Sequence, residues 1–255
     1  MNCIQRLALF AGTLLIFSAC DNQKASFRIG TASGYAPYVS CGPNGCLQGF
    51  DIDFIAALQK RVGFKIKVID LGSMDALLLA LERQKIDAIV WGMTINAGRR
   101  KQYTLIHYAG KPQKTQPVVF WDQKLKISSL ADLKDQTVAV EPGSIQESFA
   151  LTNPGLRLKP FAKALDMVFD LKFGRSNAAL IDPDILPRFL KRFPKLTVCQ
   201  LPLPKAQRSD GLGIVMKKSI SAKKVRALQQ AISFLKKQGV MKKLAKKWDV
   251  CRDRR

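Results

Sequence analysis

The chain has 255 residues, of which 47% are apolar and 24% are charged. This composition is typical of a globular protein and excludes an intrinsically disordered chain. Only the N-terminus has membrane-like hydropathy, so the sequence excludes a polytopic membrane protein. Lysine and arginine number 42 against 19 acids, a formal charge of +23. Such a charge fits nucleic acid or an anionic membrane surface as a partner, or serves solubility alone.

The first 19 residues have the pattern of a signal peptide. One arginine precedes an apolar run at residues 7–17 that is too short to span a membrane. A Ser-Ala pair then leads into Cys20, which resembles a bacterial lipoprotein processing site, although Phe17 stands where leucine is usual. We expect cleavage before Cys20, lipid on its sulfur and a lipidated linker at residues 20–26. Plain secretory cleavage nearby, with Cys20 unmodified, is the alternative.

Export changes what the basic charge implies about partners. An exported chain meets anionic lipid but little nucleic acid. Its basic side chains are not interleaved with aromatic residues as in a stacking platform, so we exclude nucleic-acid binding. The densest basic run lies on a helical pattern with an apolar opposite face, which predicts a solvated face near phospholipid. It comprises Lys236, Lys237, Lys242, Lys243, Lys246 and Lys247.

Four cysteines remain beyond Cys20, and four thiols allow three pairings. Cys41 and Cys46 flank a Gly-Pro-Asn-Gly turn sequence, which predicts a disulfide that closes a short loop. A loop of that length would stabilise the fold by only about 2 kcal/mol. Cys199 and Cys251 are then left for a second bond. A metal site is a weak alternative because the chain has one histidine and no CxxC pair, so we expect neither metal nor cofactor.

Strand and helix patterns alternate along the mature chain. Runs rich in isoleucine and valine predict strands, and apolar residues three and four apart predict helices between them. The predicted strands are residues 27–31, 65–71, 88–91, 137–140, 178–181, 196–201 and 213–216, and the main helical faces are residues 52–62, 74–81, 225–235 and 240–248. A Ser-x-x-Glu capping box at residues 144–147 starts one more helix. This order indicates an α/β chain with two sheets.

Turn- and charge-rich stretches at residues 110–114 and 202–211 interrupt the pattern. If the first crosses to a second lobe and the second returns, residues 27–110 with 208–255 form lobe 1, and residues 111–207 form lobe 2. Two crossings form a hinge, and a hinge between α/β lobes creates a cleft for a small ligand.

Several short motifs resemble one protein family in their order and spacing. They are Gly-Thr-Ala-Ser-Gly-Tyr-Ala-Pro-Tyr at residues 30–38, Gly-Phe-Asp-Ile-Asp at 49–53, Ile-Asp-Ala-Ile at 86–89 before Thr94 and Arg99, Val-Ala-Val at 138–140 before Gly143, Ser144 and Gln146, and the ending at 244–248. Together they are similar to the polar amino-acid-binding proteins of ABC importers, solute-binding family 3, whose members include lysine/arginine/ornithine-, histidine- and glutamine-binding proteins. The resemblance covers about residues 27–250 and implies the two-lobed, type II periplasmic-binding-protein fold.

The family resemblance implies a site for both charges of an amino acid. Arg99 falls at the carboxylate-binding arginine, and a planar guanidinium binds a carboxylate in bidentate fashion. Thr94 would add a hydroxyl and a backbone N–H, and the Gly92 carbonyl would accept from the ammonium group. On the second lobe, Ser144 and Ile145 lie at a predicted helix start, where free N–H groups attract a carboxylate.

Two aspartates have competing interpretations. Asp182 falls at the family's ammonium-binding aspartate, but an N-cap followed by Pro183 at the first helical position also explains it, and both roles can hold together. Asp51 and Asp53 are two residues apart and would not face each other on a helix. We interpret Asp51 as a structural cap.

The expected side-chain pocket departs from the family pattern. Ala32 stands where relatives that bind basic amino acids often have an acid, whereas Glu141 occupies a pocket-facing position where neutral residues are common. Glu141 either pairs with a ligand guanidinium or is a solvated glutamate at a strand end. The other predicted lining residues are Tyr35, Tyr38 and Met74 on apolar walls, Trp91, which narrows the site or stacks on the ligand, and Met93 and Gln146.

The leading interpretation is a monomeric carrier that captures a polar or basic amino acid, with arginine the first choice. It would deliver the amino acid to an ABC permease from an extracytoplasmic, periplasmic position, anchored to a bacterial membrane through its lipid. The alternative is a dehydratase-like enzyme of the same fold with Glu141 as acid or base. His107 lies in a pattern typical of a packed or surface residue, and Ser144 has no histidine partner in any motif, which favours the carrier.

Overall fold

The computed structural model describes residues 26–122 and 127–250, so the predicted signal peptide, Cys20 and Cys251 lie outside the described part of the chain. The strands are β1 (Phe27–Thr31), β2 (Ser40–Cys41), β3 (Leu47–Gln48), β4 (Ile66–Asp70), β5 (Ala88–Ile89), β6 (Tyr103–Ala109), β7 (Thr115–Trp121), β8 (Thr137–Val140), β9 (Arg157–Pro160), β10 (Ala178–Leu180), β11 (Leu196–Pro202) and β12 (Leu212–Lys217). The helices are α1 (Phe50–Gln59), α2 (Met74–Glu82), α3 (Ala97–Gln102), α4 (Ile145–Ala150), α5 (Ala164–Lys172), α6 (Leu186–Arg192), α7 (Ala222–Lys237) and α8 (Val240–Trp248). Each predicted strand is present, whereas β2, β3, β6, β7 and β9 were not predicted.

Two five-stranded sheets define two α/β lobes. The order is β4-β1-β5-β12-β6 in lobe 1 and β9-β8-β10-β7-β11 in lobe 2. In each sheet the first three strands are parallel to one another. The fourth strand is antiparallel to the third, and the fifth is antiparallel to the fourth. The lobes therefore share one strand arrangement, although the sequence shows no visible repeat.

The chain passes between the lobes twice, once between β6 and β7 and once between β11 and β12. The two connections lie side by side, because the Gln113 N–H donates to the Ser209 carbonyl at 3.0 Å and the Ser209 N–H donates back to Gln113 at 3.1 Å. Two short adjacent connections are the arrangement of a hinge.

Helix α1 packs lobe 1 through large apolar side chains. Phe50, Phe54 and Leu58 recur at helical spacing and are fully buried. The Phe54 ring stacks on Tyr108 of β6 with ring centroids 4.5 Å apart. Burial of each such side chain stabilises the fold by roughly 1.5–3 kcal/mol. Helices α7 and α8 pack against α1 and against each other, so the three helices form one layer.

The start of α1 depends on a glycine. Gly49 has a φ of 140°, and a Cβ there would overlap the carbonyl oxygen of Tyr38. Only glycine fits this close approach. The sharp entry that results places Phe50 in the core and Asp51 beneath the end of β5, where it contacts Gly92.

The predicted disulfide between Cys41 and Cys46 is wrong, because both are exposed free thiols. The β2–β3 hairpin pairs Cys41 with Leu47, and the Gly42 N–H donates to the Cys46 carbonyl at 2.8 Å. Cys46 therefore belongs to the turn and does not face Cys41. Cys199 is half-buried on β11, but Cys251 lies outside the described residues, so that pairing stays a prediction.

Candidate functional site

A narrow cavity lies between the two lobes. The space between its atoms is about 270 Å³. Only about 10 Å³ of this is open to the centre of a water molecule, which is room for about one water. Residues of both lobes line it: Tyr35, Met74, Trp91, Gly92, Met93, Thr94, Arg99, Glu141, Ser144, Ile145, Gln146 and Asp182. The structure therefore brings together every predicted ligand-binding residue except Tyr38.

Asp51 supports the floor of this cavity from within lobe 1. Its fully buried carboxylate accepts the Gly92 N–H at 2.6 Å and the Tyr108 hydroxyl at 2.8 Å. Burial raises the pKa of Asp51 to about 7, against the opposing effect of these two hydrogen bonds. The expected helix cap is wrong, because Gly49 occupies the N-cap position of α1 and Asp51 holds the segment that carries Gly92.

Gly92 and Trp91 form the lobe 1 wall together with Tyr35. Gly92 has a φ of 57°, and a Cβ there would lie 2.8 Å from the Tyr35 ring, so the close approach needs glycine. The Trp91 indole N–H donates to the Ala32 carbonyl at 2.7 Å, and its ring lies 4.7 Å from the Tyr35 ring, centroid to centroid. The indole is thus held in place and narrows the cavity.

Arg99 lies in the cavity at the first turn of α3. The Asn96 side chain caps this helix by accepting the Arg99 N–H at 2.8 Å. In the guanidinium, Nη1 donates to the Thr94 carbonyl at 2.9 Å and Nη2 donates to the Gly143 carbonyl of lobe 2 at 3.1 Å. Burial lowers the pKa of Arg99 to about 10, so the group keeps its charge at neutral pH.

The lobe 2 side of the cavity begins at the predicted capping box. The Ser144 hydroxyl accepts the Glu147 N–H at 3.0 Å, which confirms the helix start, and the Glu147 carboxylate accepts the Gly143 N–H at 2.8 Å. Gln146, in the first turn of α4, is 5% exposed, and its Nε2 has no hydrogen-bond partner among the described residues. An unpaired buried donor costs about 1–3 kcal/mol, which favours a ligand acceptor at this position.

Asp182 follows β10 and carries one of two carboxylates in the cavity. Its Oδ1 accepts the Asp184 N–H at 2.8 Å, and it also bonds the Tyr35 hydroxyl. The predicted N-cap is wrong, because α6 begins only at Leu186 and the carboxylate closes a local turn around Pro183. Burial, with the charge of Asp184, raises the pKa of Asp182 to about 7.

Glu141 follows β8 and carries the second carboxylate. It lines the cavity and is half-buried, so it is not a fully solvated glutamate. Burial, reinforced by the charge of Asp182 and opposed by that of Arg99, raises the pKa of Glu141 to about 8. Among the described residues, no ion pair joins Glu141, Asp182 or Arg99 to another side chain. One cation and two carboxylates thus remain unmatched in one cavity.

Tyr38 and Asp184 form a contact between the lobes that the sequence analysis did not anticipate. Tyr38 is 1% exposed and does not line the cavity, so its predicted place on the pocket wall is wrong; its hydroxyl donates to the Asp184 carboxylate at 3.3 Å. The hinge residue Gln113 donates to the same carboxylate at 3.1 Å. The sequence signal that could have indicated a second functional aspartate is the Asp-Pro-Asp motif at residues 182–184.

Among the described residues, the cavity lining contains no histidine or cysteine. His107 lies on β6 with its ring nitrogens near Lys236 and the Gly110 carbonyl. Ser144 therefore has no histidine to act as its base. Within residues 26–122 and 127–250, no group of three or more potential ligand side chains could hold a metal ion, and no helix is long and apolar enough to cross a membrane.

Comparison with known proteins identifies the family. Residues 27–250 match the profile of the bacterial extracellular solute-binding proteins, family 3. The chain belongs to this family. It is 30% identical over 230 residues to the probable ABC transporter arginine-binding protein ArtJ of Chlamydia trachomatis, covering 89% of this chain and 87% of that protein. It is 29% identical to the histidine-binding periplasmic protein of Salmonella typhimurium, covering 96% and 97% of the two chains.

Solved structures agree with the family assignment and with the type II periplasmic-binding-protein fold. An ancestral arginine-binding protein bound to arginine is 27% identical and superposes with a TM-score of 0.73, covering 89% of this chain and 99% of that chain. The same class of ancestral protein bound to glutamine gives 28% identity and a TM-score of 0.72, covering 88% and 97%. The family is one of binding proteins, so the enzyme alternative is not supported.

Proposed function

We propose that this solute-binding protein captures an amino acid, with arginine preferred, in the cleft between its lobes and delivers it to an ABC permease. The observation that carries the proposal is the unmatched charge of the cavity. Arg99, Asp182 and Glu141 supply one positive and two negative groups that no other described side chain neutralises. Arginine has the complementary set, one carboxylate and two cations. The arginine-binding relatives support the choice.

The ligand's α-carboxylate is assigned to Arg99. The guanidinium would hold it in bidentate fashion, with Thr94 and the N–H groups at Ser144 and Ile145 as further donors. Gln146, whose amide Nε2 finds no partner within the described part of the chain, supplies one more donor at the same turn. Binding would replace the present bond of Arg99 to the Gly143 carbonyl or share it.

The ligand's α-ammonium is assigned to Asp182 and the Gly92 carbonyl. Asp182 is held by the Asp184 N–H and the Tyr35 hydroxyl, so its remaining lone pairs are directed by fixed neighbours. Asp51 holds Gly92 from the other side. An ammonium ion between two such oriented acceptors would be bound with little further ordering of the protein.

The ligand's side chain is assigned to the space before Glu141. Tyr35, Met74, Trp91 and Met93 offer apolar and aromatic surface along the methylene chain, and an aromatic face also attracts a guanidinium. A neutral side chain would meet Glu141 in its protonated form, because burial raises the pKa of Glu141 to about 8, and would not gain the charge-assisted hydrogen bonds of a guanidinium with a carboxylate. This difference favours arginine over glutamine.

Lobe closure accounts for tight binding. A micromolar Kd is about −8 kcal/mol, or about 0.7 kcal/mol for each of arginine's roughly twelve heavy atoms. Such efficiency needs burial from both sides. The cavity has room here for about one water, so arginine would enter and fit only with the lobes further apart about the two connections.

The proposal also covers the lobe boundaries, the oligomeric state and the membrane anchor. Residues 27–110 with 208–255 form the first lobe, residues 111–207 form the second, and the protein acts as a monomer outside the cytoplasm. Lipid on Cys20 anchors it, and two or more acyl chains make the anchoring stable. Mass spectrometry of the native protein tests the anchor, since an unmodified N-terminus downstream of Cys20 contradicts it.

A thermal-shift screen across the amino acids tests the proposed function. A ligand that binds only the folded state raises the apparent stability by RT ln(1 + [L]/Kd), which is about 2.7 kcal/mol at 100 times Kd. We expect the largest shift with arginine and smaller shifts with histidine and glutamine. Turnover of any amino acid during incubation would instead indicate an enzyme.

A further inference from the structure

The positive charge of the chain is unevenly distributed. Residues 211–248 contain eleven lysines and arginines and no acid. Among the described residues, two of the eleven pair with acids, Lys217 with Glu82 at 3.0 Å and Lys247 with Asp53 at 2.7 Å, so most of this charge is not consumed by internal pairing. These residues form β12, α7 and α8, which all belong to lobe 1. Lobe 1 therefore carries a disproportionate share of the excess charge.

Part of this charge converges with basic residues of α1 and β4 at one end of lobe 1. One shallow depression is lined by Ser26, Lys65, Lys67 and Lys224, and a second by Lys60 and Arg61. The two adjoin through the end of α1, since residues 59 and 62–64 border the first depression and residues 60–61 the second. We call the surface formed by Lys60, Arg61, Lys65, Lys67 and Lys224 the basic face.

The acids at the basic face are already paired. Asp53 binds Lys247 at 2.7 Å, and Asp87 binds Arg28 at 3.0 Å. Both acids line the same two depressions as the basic face, but their ion-pair partners, Arg28 and Lys247, are not among its five residues. The positive charge of those five residues is therefore in excess. A surface of this sign attracts anionic headgroups, at roughly a fivefold gain in partitioning for each basic residue near the bilayer.

An aromatic side chain stands among the charges. Phe234 of α7 is 37% exposed, and the Arg61 guanidinium lies 3.9 Å from the centre of its ring. Phe234 lines the same depression as Lys60 and Arg61, and basic side chains combined with phenylalanine are typical of helices that lie at the membrane interface. The basic face thus has both components of such a surface.

The position of the basic face in the chain also fits a bilayer. Ser26, the first described residue, lines it, and five residues separate Ser26 from the proposed lipid site at Cys20. The six residue steps from Cys20 to Ser26 span at most about 20 Å. The cleft lies at the other end of the same strands, because Phe27 pairs with Ile66 near the basic face while Tyr35 and Met74 follow the far ends of β1 and β4.

We propose that the basic face rests on an anionic phospholipid leaflet and holds the protein with its cleft turned away from the bilayer. The cleft is then open to ligand from solution. The contact is electrostatic, so salt weakens it, and the protein can leave it to dock with its permease. The partner is a lipid surface and not a segment of the permease.

The test is co-sedimentation with vesicles of phosphatidylglycerol and phosphatidylcholine, using the mature chain with Cys20→Ser so that no acyl chain contributes. We expect binding at 50 mM salt, loss at 0.5 M salt and no binding to pure phosphatidylcholine. The triple variant Lys65→Gln, Lys67→Gln, Lys224→Gln should partition at least tenfold more weakly. A lobe 2 triple variant of equal charge, Lys134→Gln, Lys172→Gln, Lys191→Gln, should stay within about twofold of the parent.

Ligand affinity and thermal unfolding of both triple variants show whether they are folded, and Lys60→Gln with Lys65→Gln replaces the first variant if it is not. Equal loss of vesicle binding in both triple variants would show that only total charge matters and would overturn the proposal. So would equal binding of the parent to anionic and neutral vesicles, or no binding to either. Because the test contains no amino acid, its result is independent of the proposed ligand.

Discussion

Arg99 of lobe 1 donates to the Gly143 carbonyl of lobe 2 at 3.1 Å. The same guanidinium also donates to the Thr94 carbonyl within its own lobe, at 2.9 Å. The side chain that we assign to the ligand carboxylate is therefore also a bridge across the closed cleft. Ligand binding and lobe closure share one residue, so a substitution there should affect both.

Arg99→Ala and Asp182→Ala should each abolish tight arginine binding. Loss of one partner of a desolvated charge pair costs roughly 2–5 kcal/mol, which weakens affinity about 30- to 4000-fold. Titration calorimetry measures the change. Arg100→Ala is the matched control, because Arg100 is the exposed neighbour whose partner is Asp210, and it should bind like the parent. Affinity within threefold of the parent for either cavity variant would remove that residue from the site.

Glu141→Gln should weaken arginine more than glutamine. The substitution removes the carboxylate that we assign to the ligand guanidinium, and a charged hydrogen bond contributes at least about 1.5 kcal/mol, or roughly tenfold in affinity. Glutamine, with no side-chain charge, should lose much less. Competition binding with both ligands measures the ratio. An unchanged preference for arginine would show that Glu141 does not select the ligand.

Arginine affinity should rise with pH between about 6 and 8. Burial raises the pKa of Glu141 to about 8 and that of Asp182 to about 7 in the unliganded protein, so both are largely protonated at pH 6. The ligand's cations favour the ionised carboxylates, so binding must release protons. We expect affinity roughly tenfold or more weaker at pH 6 than at pH 8. Calorimetry in two buffers of different ionisation enthalpy measures the protons, and uptake of protons would contradict the assignment.

The same carboxylates should make the unliganded protein less stable as pH rises. Their folded-state pKa values lie above the ordinary values of 3.8 and 4.5, so the folded state holds more protons than the unfolded chain between about pH 4 and 8. Stability from this source is therefore present at low pH and declines as the pH passes through the folded-state values. Thermal unfolding of Glu141→Gln should show a shallower decline than the parent. An identical slope would argue against a buried, protonated Glu141.

Asp51→Ala should destabilise the fold by about 2–4 kcal/mol. The substitution removes the shared acceptor of two buried donors, the Gly92 N–H and the Tyr108 hydroxyl, and each lost bond costs about 1–2 kcal/mol. Asp51→Asn keeps one amide oxygen as acceptor and should cost less. Urea unfolding measures both variants. A loss below about 1 kcal/mol for Asp51→Ala would show that the two donors find other partners.

Much of the fold was predictable because local patterns and global packing agree. Strands such as β1 and β8 are short apolar runs bounded by turns, and these are buried between neighbours on both sides. Strand β7 was not predicted, and Pro117 normally argues against an inner strand. The proline is tolerated because β7 pairs with β10 only at Val118 and Val119, beyond the proline.

The site was predictable as a set of residues but not in its supporting contacts. Asp51 binds Gly92 and Tyr108, 41 and 57 residues further along the chain, and no local pattern reports such distant partners. Asp182 was interpreted as an N-cap because Asp-Pro is a common helix start. A turn in which the carboxylate accepts the Asp184 N–H has the same kind of hydrogen bond, from a backbone N–H two residues further on. The Cys41–Cys46 prediction relied on spacing and lacked the hairpin register, which decides what each cysteine faces.

Titration of arginine into the protein, after unfolding and refolding to remove bound ligand, measures whether the cleft is an arginine site. We expect one saturable site per chain with a micromolar or lower Kd, and weaker binding of glutamine under the same conditions. Arginine that gives no binding heat at several temperatures, with tight one-site binding by glutamine or an aliphatic amino acid, would contradict the arginine assignment. Absence of binding by every amino acid would contradict the carrier itself.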